Sequence, residues 1–127
     1  MVKFIHDEFA DNPDNRCACV LLLDTSSTMS EMPGMSRKPI DELNKGLEIF
    51  YETLNKDALS RKRVEVAIVS FGPVEVVQDF VTARDFEPPR LVAEGRTPMG
   101  EAVLKAIDMV SKRKETYRTN GIEYYRP

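Results

Sequence analysis

The sequence has no tryptophan, one histidine and two cysteines. One histidine, His6 in a polar N-terminal segment, does not support a Ser/His/Asp or Cys/His catalytic arrangement. Two cysteines without a second Cys/His pair do not make a zinc site. No apolar segment approaches the roughly 20 residues that cross a bilayer, and the charged first eight residues do not form a signal peptide. We therefore expect a cytoplasmic protein without a membrane partner.

The net charge and the length of the chain further limit the class of protein that this sequence can form. A net charge of -3 leaves no basic footprint for nucleic acid. The phosphate-binding patterns G-x-x-x-x-G-K-[ST] and G-x-G-x-x-G are absent. The 127 residues suffice for one domain with a core and are too few for two ordinary ones. We expect a polar N-terminal extension over residues 1–15 and one domain over residues 16–127.

The most informative segment is an apolar run that ends in a carboxylate and several hydroxyls. Residues 16–23 read as a strand buried on both faces, which is typical of a parallel α/β sheet. Asp24, Ser26 and Thr28 follow directly, where such sheets place their ligand sites. Their oxygen atoms suit Mg²⁺ or Mn²⁺ better than zinc. Cys17 and Cys19 share one face of this strand and are expected to be buried and reduced.

The rest of the pattern predicts an α/β domain with the order β-α-β-β-α. Pro39 begins a helix with an apolar stripe, and residues 64–72 and 75–81 form two strands joined by a short turn. Because that turn is too short for a crossover, the third strand must be antiparallel to the second. A second helix runs from Pro98 to about Lys114, with Lys112–Lys114 in its last turn. Its expected buried face consists of Met99, Ala102, Val103, Ala106, Ile107 and Val110.

Two segments carry a resemblance to a known family. The motif Asp24-Thr25-Ser26-Ser27-Thr28 resembles the Asp-x-Ser-x-Ser motif of the metal-ion-dependent adhesion site (MIDAS) in von Willebrand factor A (VWA) domains. The segment at 95–102, with Thr97, resembles the family's later threonine loop. The element order is similar to the first part of the doubly wound, Rossmann-like domain, and most similar to the bacterial cytoplasmic group associated with tellurite resistance and stress operons. The family's fourth strand would begin near Tyr124, so the sequence is expected to cover about two-thirds of that domain.

The resemblance implies a metal-dependent protein interaction module rather than an enzyme. Asp24, Ser26, Thr28 and Thr97 would hold Mg²⁺ or Mn²⁺, weakly because the third metal loop is absent. The bound cation would take an acidic residue of a partner protein as a further ligand. Without the fourth strand, the edge of the first strand would be open, which favours a homo-oligomer or a complementing fragment.

Other interpretations remain open. The hydroxyl cluster could close a turn, and Thr97 before Pro98 has the sequence of a helix N-cap. Asp24 could be the nucleophile of an Mg²⁺-dependent phosphoryl-transfer enzyme, although Ser26 stands where phosphatases of the haloacid dehalogenase type have a second aspartate. The domain could also be a metal-independent scaffold that associates through its open sheet edge.

Overall fold

The sheet has three strands in the order β1-β2-β3, in a computed structural model that describes residues 7–30, 38–93 and 98–125. They are β1 (Cys17–Leu23), β2 (Val64–Phe71) and β3 (Val74–Thr82). β1 and β2 are parallel, whereas β3 returns antiparallel to β2 across a two-residue turn. The predicted α/β class, with parallel strands and an antiparallel edge strand in a partial Rossmann-like arrangement, is confirmed.

Within the described residues, four helices accompany the sheet, and two of them were not predicted. They are α1 (Asp7–Asp11), α2 (Pro39–Lys56), α3 (Ala58–Arg63) and α4 (Met99–Thr119), with a single 3-10 turn at Ser27–Ser30. The sequence predicted a polar extension where α1 lies and no separate helix before the strand that begins at residue 64. The Asp57 side chain accepts hydrogen bonds from the amides of Leu59 and Ser60, and this N-cap starts α3. None of the helices in the described ranges is long and apolar enough to cross a membrane.

The side chains of β2 alternate between two apolar layers. Val66 and Ile68 pack against Ile40 and Leu47 of α2, as the predicted stripe of that helix required. The intervening residues face α1 and α4, where Ala67 packs in a cluster that includes Phe9, Phe80 and Tyr117. The sheet is therefore covered by helices on both faces, so β2 is buried along almost its whole length.

The prediction for the last helix is wrong in its length and in half of its buried face. α4 continues to Thr119, so Lys112–Lys114 do not form its last turn. The predicted core residues Met99, Val103 and Ile107 are 56%, 37% and 61% exposed. The helix instead turns Ala102 and Ala106 to the sheet, because small side chains allow the two backbones to approach closely. The apolar stripe of α4 that contains Met99, Val103 and Ile107 is thus exposed and does not pack against the sheet.

The edge of β1 that does not pair with β2 is contacted by a segment near the end of the described chain. Arg16 forms an isolated parallel bridge with Tyr124 on the side of β1 that faces away from β2. The amide of Arg16 donates to the carbonyl of Glu123, and the amide of Tyr125 donates to the carbonyl of Arg16, both at 2.9 Å. In the described part of the chain, β1 has no other strand along this edge.

Candidate metal site at the carboxyl end of the sheet

Asp24 and Ser26 form a tight turn directly after β1. Oδ1 of Asp24 accepts two hydrogen bonds from Ser26, one from its amide at 2.9 Å and one from its hydroxyl at 2.6 Å. The carbonyl of Ser26 then accepts the amide of Met29 at 2.9 Å, which starts the 3-10 turn. Ser26 is fully buried, whereas Asp24 is half-buried. The turn therefore fixes a carboxylate and a hydroxyl together at the sheet end where the sequence predicted them.

The structure describes only part of the predicted ligand set. Thr28 lies in the 3-10 turn Ser27–Ser30, close in the chain to Ser26, and its side chain is outside the described part of the molecule. Thr97 lies outside the described residues altogether. Asp24 and Ser26 are thus the two predicted ligands whose side chains are brought together, and the other two remain predictions.

The structure adds a hydroxyl that the sequence analysis missed. Ser70 ends the apolar run of β2, and the parallel register sets it opposite Leu23, one residue before Asp24. Ser70 and Thr25 are both nearly inaccessible, and they line a cavity of about 180 Å³ with Glu75 and Arg90. The available signal was a serine that directly follows the apolar run of residues 66–69. The carboxyl end of the sheet is consequently more polar than the first motif alone suggested.

A buried asparagine holds the loop that precedes α4. Asn44 of α2 donates through Nδ2 to the carbonyl of Leu91 at 3.0 Å, and its Oδ1 accepts the amide of Leu91 at 2.7 Å. Both bonds are buried, so the side-chain amide substitutes for a strand partner at this point of the loop. Leu91 is thereby fixed beside the Thr25 cavity, which it also lines.

The chemistry of the described turn fits a hard cation. The Ser26 hydroxyl donates its proton to Asp24, so it would present oxygen lone pairs to a metal ion. Mg²⁺ takes oxygen ligands, keeps several waters and often binds with one or two carboxylates. Within the described ranges, no three His, Cys, Asp or Glu side chains form a metal-binding group. The predicted ligands are one carboxylate, that of Asp24, and three hydroxyls. They therefore do not form a group of three such side chains.

A second polar cluster lies under α4, around the buried carboxylate of Glu65. Nε of Arg16 donates to Oε2 at 3.0 Å, and Nε and Nη2 of Arg113 donate to the two oxygens at 2.7 and 3.0 Å. The hydroxyl of Tyr117 donates to Oε1. Both guanidinium groups also lie over the ring of Phe9, at 5.4 and 5.1 Å. The cluster joins α1, the residue before β1, β2 and α4, and its full set of partners indicates a structural role.

Two pKa values in this cluster shift in opposite directions. Burial alone would raise the pKa of Glu65, but the hydrogen bonds from Arg113 and Tyr117 and the charges of Arg113 and Arg16 outweigh it. The pKa of Glu65 therefore lies below its ordinary value. Burial, followed by the charge of Glu65 and the hydrogen bond to it, raises the pKa of Tyr117 well above its ordinary value. Both shifts keep Glu65 ionised and Tyr117 protonated at neutral pH.

The two cysteines are free, as predicted, but they are half-buried rather than buried. Their sulfur atoms are 3.8 Å apart on one face of β1. The partial exposure has a physical cause, since described strands cover β1 on one edge only. Burial, and then the neighbouring Cys17, raise the pKa of Cys19 to about 11. Cys19 is therefore a protonated thiol at neutral pH.

Comparisons with known proteins support the fold of this chain and do not indicate its function. No family model matches the chain, and no curated protein matches it. The chain is similar to the crystal structure of an uncharacterized membrane spanning protein from Vibrio fischeri, with a TM-score of 0.56 and 14% identity over 79% of this chain and 52% of that one. It is also similar to that of an uncharacterized protein from Alicyclobacillus acidocaldarius, with a TM-score of 0.57 and 24% identity over 80% and 43%. The chain thus spans about half the length of these proteins, and the likeness establishes a shared α/β fold.

Proposed function

We propose that the protein is a metal-dependent protein interaction module of the VWA type, in which Mg²⁺ or Mn²⁺ binds at the carboxyl end of β1. The observation that carries the proposal is the pair of hydrogen bonds from Ser26 to Oδ1 of Asp24, at the place where an α/β sheet presents its ligands. Thr28 and Thr97 complete the proposed ligand set. The cytoplasmic location and the link to a bacterial stress response are part of the same proposal.

The proposed chemistry is a bridge between two proteins through the cation. A site with one protein carboxylate leaves half of the charge of a divalent ion uncompensated, so the ion attracts a further carboxylate. A glutamate or aspartate of a partner protein would supply it in the remaining coordination position. The expected affinity for the metal alone is low, with a Kd on the order of 1 mM, equivalent to about 4 kcal/mol.

Calorimetric titration with MnCl₂ tests the ligand assignment. The wild type is expected to bind Mn²⁺, and Ser26→Ala is expected to weaken binding at least about tenfold. Ser30→Ala is the matched control, because the Ser30 hydroxyl lies in the same turn and donates to the carbonyl of Ser27 instead. Equal binding by the wild type and Ser26→Ala would exclude Ser26 as a ligand.

Phosphoryl transfer through Asp24 is the competing function, and a turnover assay separates it from the proposal. The Asp24 oxygen that accepts both bonds from Ser26 is already occupied as an acceptor, which favours an orienting role. Hydrolysis of p-nitrophenyl phosphate with Mg²⁺ is therefore expected to stay at the level of the buffer. Turnover by the wild type that is lost in Asp24→Asn would support an enzyme instead.

A further inference from the structure

A small polar cavity lies between β2, β3 and the loop that precedes α4. It has a volume of about 180 Å³, and its polar lining residues are Thr25, Ser70, Glu75 and Arg90. Thr25 and Ser70 are each 4% exposed, whereas Glu75 and Arg90 are exposed at its rim. Two buried hydroxyls and two charges of opposite sign therefore converge on one small space.

The backbone around the cavity is held in place on two sides. The sheet register pairs Ser70 with Glu75 across β2 and β3. On the other side, Arg90 directly precedes Leu91, whose amide and carbonyl are both hydrogen-bonded to the side chain of Asn44. The positions of the lining residues are thus fixed before any ligand binds, which lowers the entropic cost of binding.

The polar groups that line the cavity are available to a ligand. Within residues 7–30, 38–93 and 98–125, none of the four side chains has a hydrogen-bond or ion-pair partner. A buried hydroxyl without a protein partner is satisfied by a molecule in the cavity that it faces, either water or a ligand. The hydroxyls of Thr25 and Ser70 therefore point to an occupant that can form hydrogen bonds.

The two charges at the rim select the chemical class of this occupant. A simple anion would be repelled by Glu75, and a simple cation would be repelled by Arg90. An apolar molecule would remove all four polar groups from water without pairing them. A small molecule that carries a carboxylate and an ammonium group close together pairs with both charges at once.

We propose that the cavity is a binding site for a free α-amino acid with a small side chain. The guanidinium group of Arg90 would bind the α-carboxylate, and the carboxylate of Glu75 would bind the α-ammonium group. Thr25 and Ser70 would bind the same two groups, because a hydroxyl both donates and accepts. The cavity is smaller than the roughly 300–1,000 Å³ of typical ligand pockets, which limits the size of the side chain.

Chemical-shift titration with L-alanine in the presence of EDTA tests the proposal. The amide signals of Thr25, Ser70 and Leu91 are expected to shift saturably, with a Kd on the order of 1 mM. Because EDTA removes divalent cations, the result does not depend on the proposed metal site. The absence of a saturable shift at about 20 mM L-alanine would overturn the proposal.

Three analogues of alanine test whether both charges of the ligand are recognised. N-acetyl-L-alanine lacks the ammonium group, L-alaninamide lacks the carboxylate, and propionamide lacks both. Each is expected to bind at least about tenfold more weakly than L-alanine. Equal binding of the first would indicate an anion site, of the second a cation site, and of the third a site for a neutral amide such as a glutamine side chain of another protein. Any of these three results would overturn the proposal.

Substitutions at the rim test the location of the site. Arg90→Gln and Glu75→Gln are each expected to weaken the binding of L-alanine at least about tenfold. Arg84→Gln and Glu87→Gln are the matched controls, since these side chains are exposed, carry the same charges and do not line the cavity. The controls should bind L-alanine as the wild type does. Equal losses in a rim variant and its control would exclude the cavity as the binding site.

Discussion

The carboxylate of Glu65 lies 2.7 Å from Nε of Arg113, although 48 residues separate the two in the chain. The contact joins the second strand to the last helix in a region almost without solvent, where Glu65 is 1% exposed. An ionised group in such a place is tolerated only when it is paired and hydrogen-bonded. The cluster around Glu65 therefore links the packing of β2 to that of α4.

Removing one hydrogen-bond donor from this cluster should cost measurable stability. Tyr117→Phe deletes the hydroxyl that donates to Oε1 of Glu65. We expect the free energy of unfolding in urea to fall by about 1.5–3 kcal/mol, since the acceptor is charged. Tyr51→Phe is the control, because its ring packs edge-on against Phe86 and it makes no contact with Glu65. A loss in Tyr117→Phe no larger than in Tyr51→Phe would contradict the role of the cluster.

The same cluster should make stability depend on acid pH. The pKa of Glu65 is lower in the folded protein than its ordinary value of 4.5, so the unfolded chain binds the proton more readily. The stabilisation is complete above about pH 4.5 and is lost as the pH falls through the folded pKa. The stability decrement of Tyr117→Phe, measured in urea between pH 7 and pH 3, should therefore shrink below about pH 4.5. A decrement that stays constant over this range would show that the charge of Glu65 does not contribute.

The thiols provide a prediction about reactivity. With a pKa of about 11, Cys19 is thiolate to the extent of only about one part in a thousand at pH 8. In a Cys17→Ser variant, which isolates this thiol, alkylation by iodoacetamide at pH 8 should be far slower than that of a free cysteine peptide. The rate should still rise between pH 8 and pH 10. A rate equal to that of the peptide would show that β1 does not shield the sulfur.

The sequence predicted what depends on local pattern. The apolar run before Asp24 predicted β1, and the two-residue turn after Phe71 required an antiparallel β3; both are confirmed. Half of the buried face of α4 was predicted incorrectly because the helix has two apolar stripes, and only Ala102 and Ala106 of the predicted set are buried. Periodicity alone does not tell whether Ala106 or Ile107 faces the sheet, and close packing selected the smaller side chain.

Polar contacts between residues far apart in the chain could not be predicted from the sequence. Arg16 and Arg113 meet Glu65 from positions 49 and 48 residues away, and nothing in their local sequence marks them as buried. The position of Asp24 and Ser26 at the carboxyl end of the sheet was predicted because both residues follow the same strand. Ser70 joins that sheet end only through the register of β1 with β2, which the folded structure supplies.

The loop before α4 should depend on a single side-chain amide. Asn44→Ala removes both hydrogen bonds to the backbone of Leu91 and leaves a buried amide and a buried carbonyl without partners. Each such group costs about 1–3 kcal/mol, so the free energy of unfolding should fall by at least about 2 kcal/mol. The Leu91 amide should also exchange much faster than in the wild type. Asn44→Asp provides the comparison for the exchange measurement, because it retains an acceptor for that amide while a carboxylate oxygen replaces the donor to the carbonyl. If the two variants exchanged Leu91 equally fast, Oδ1 of Asn44 would not be the group that holds the loop.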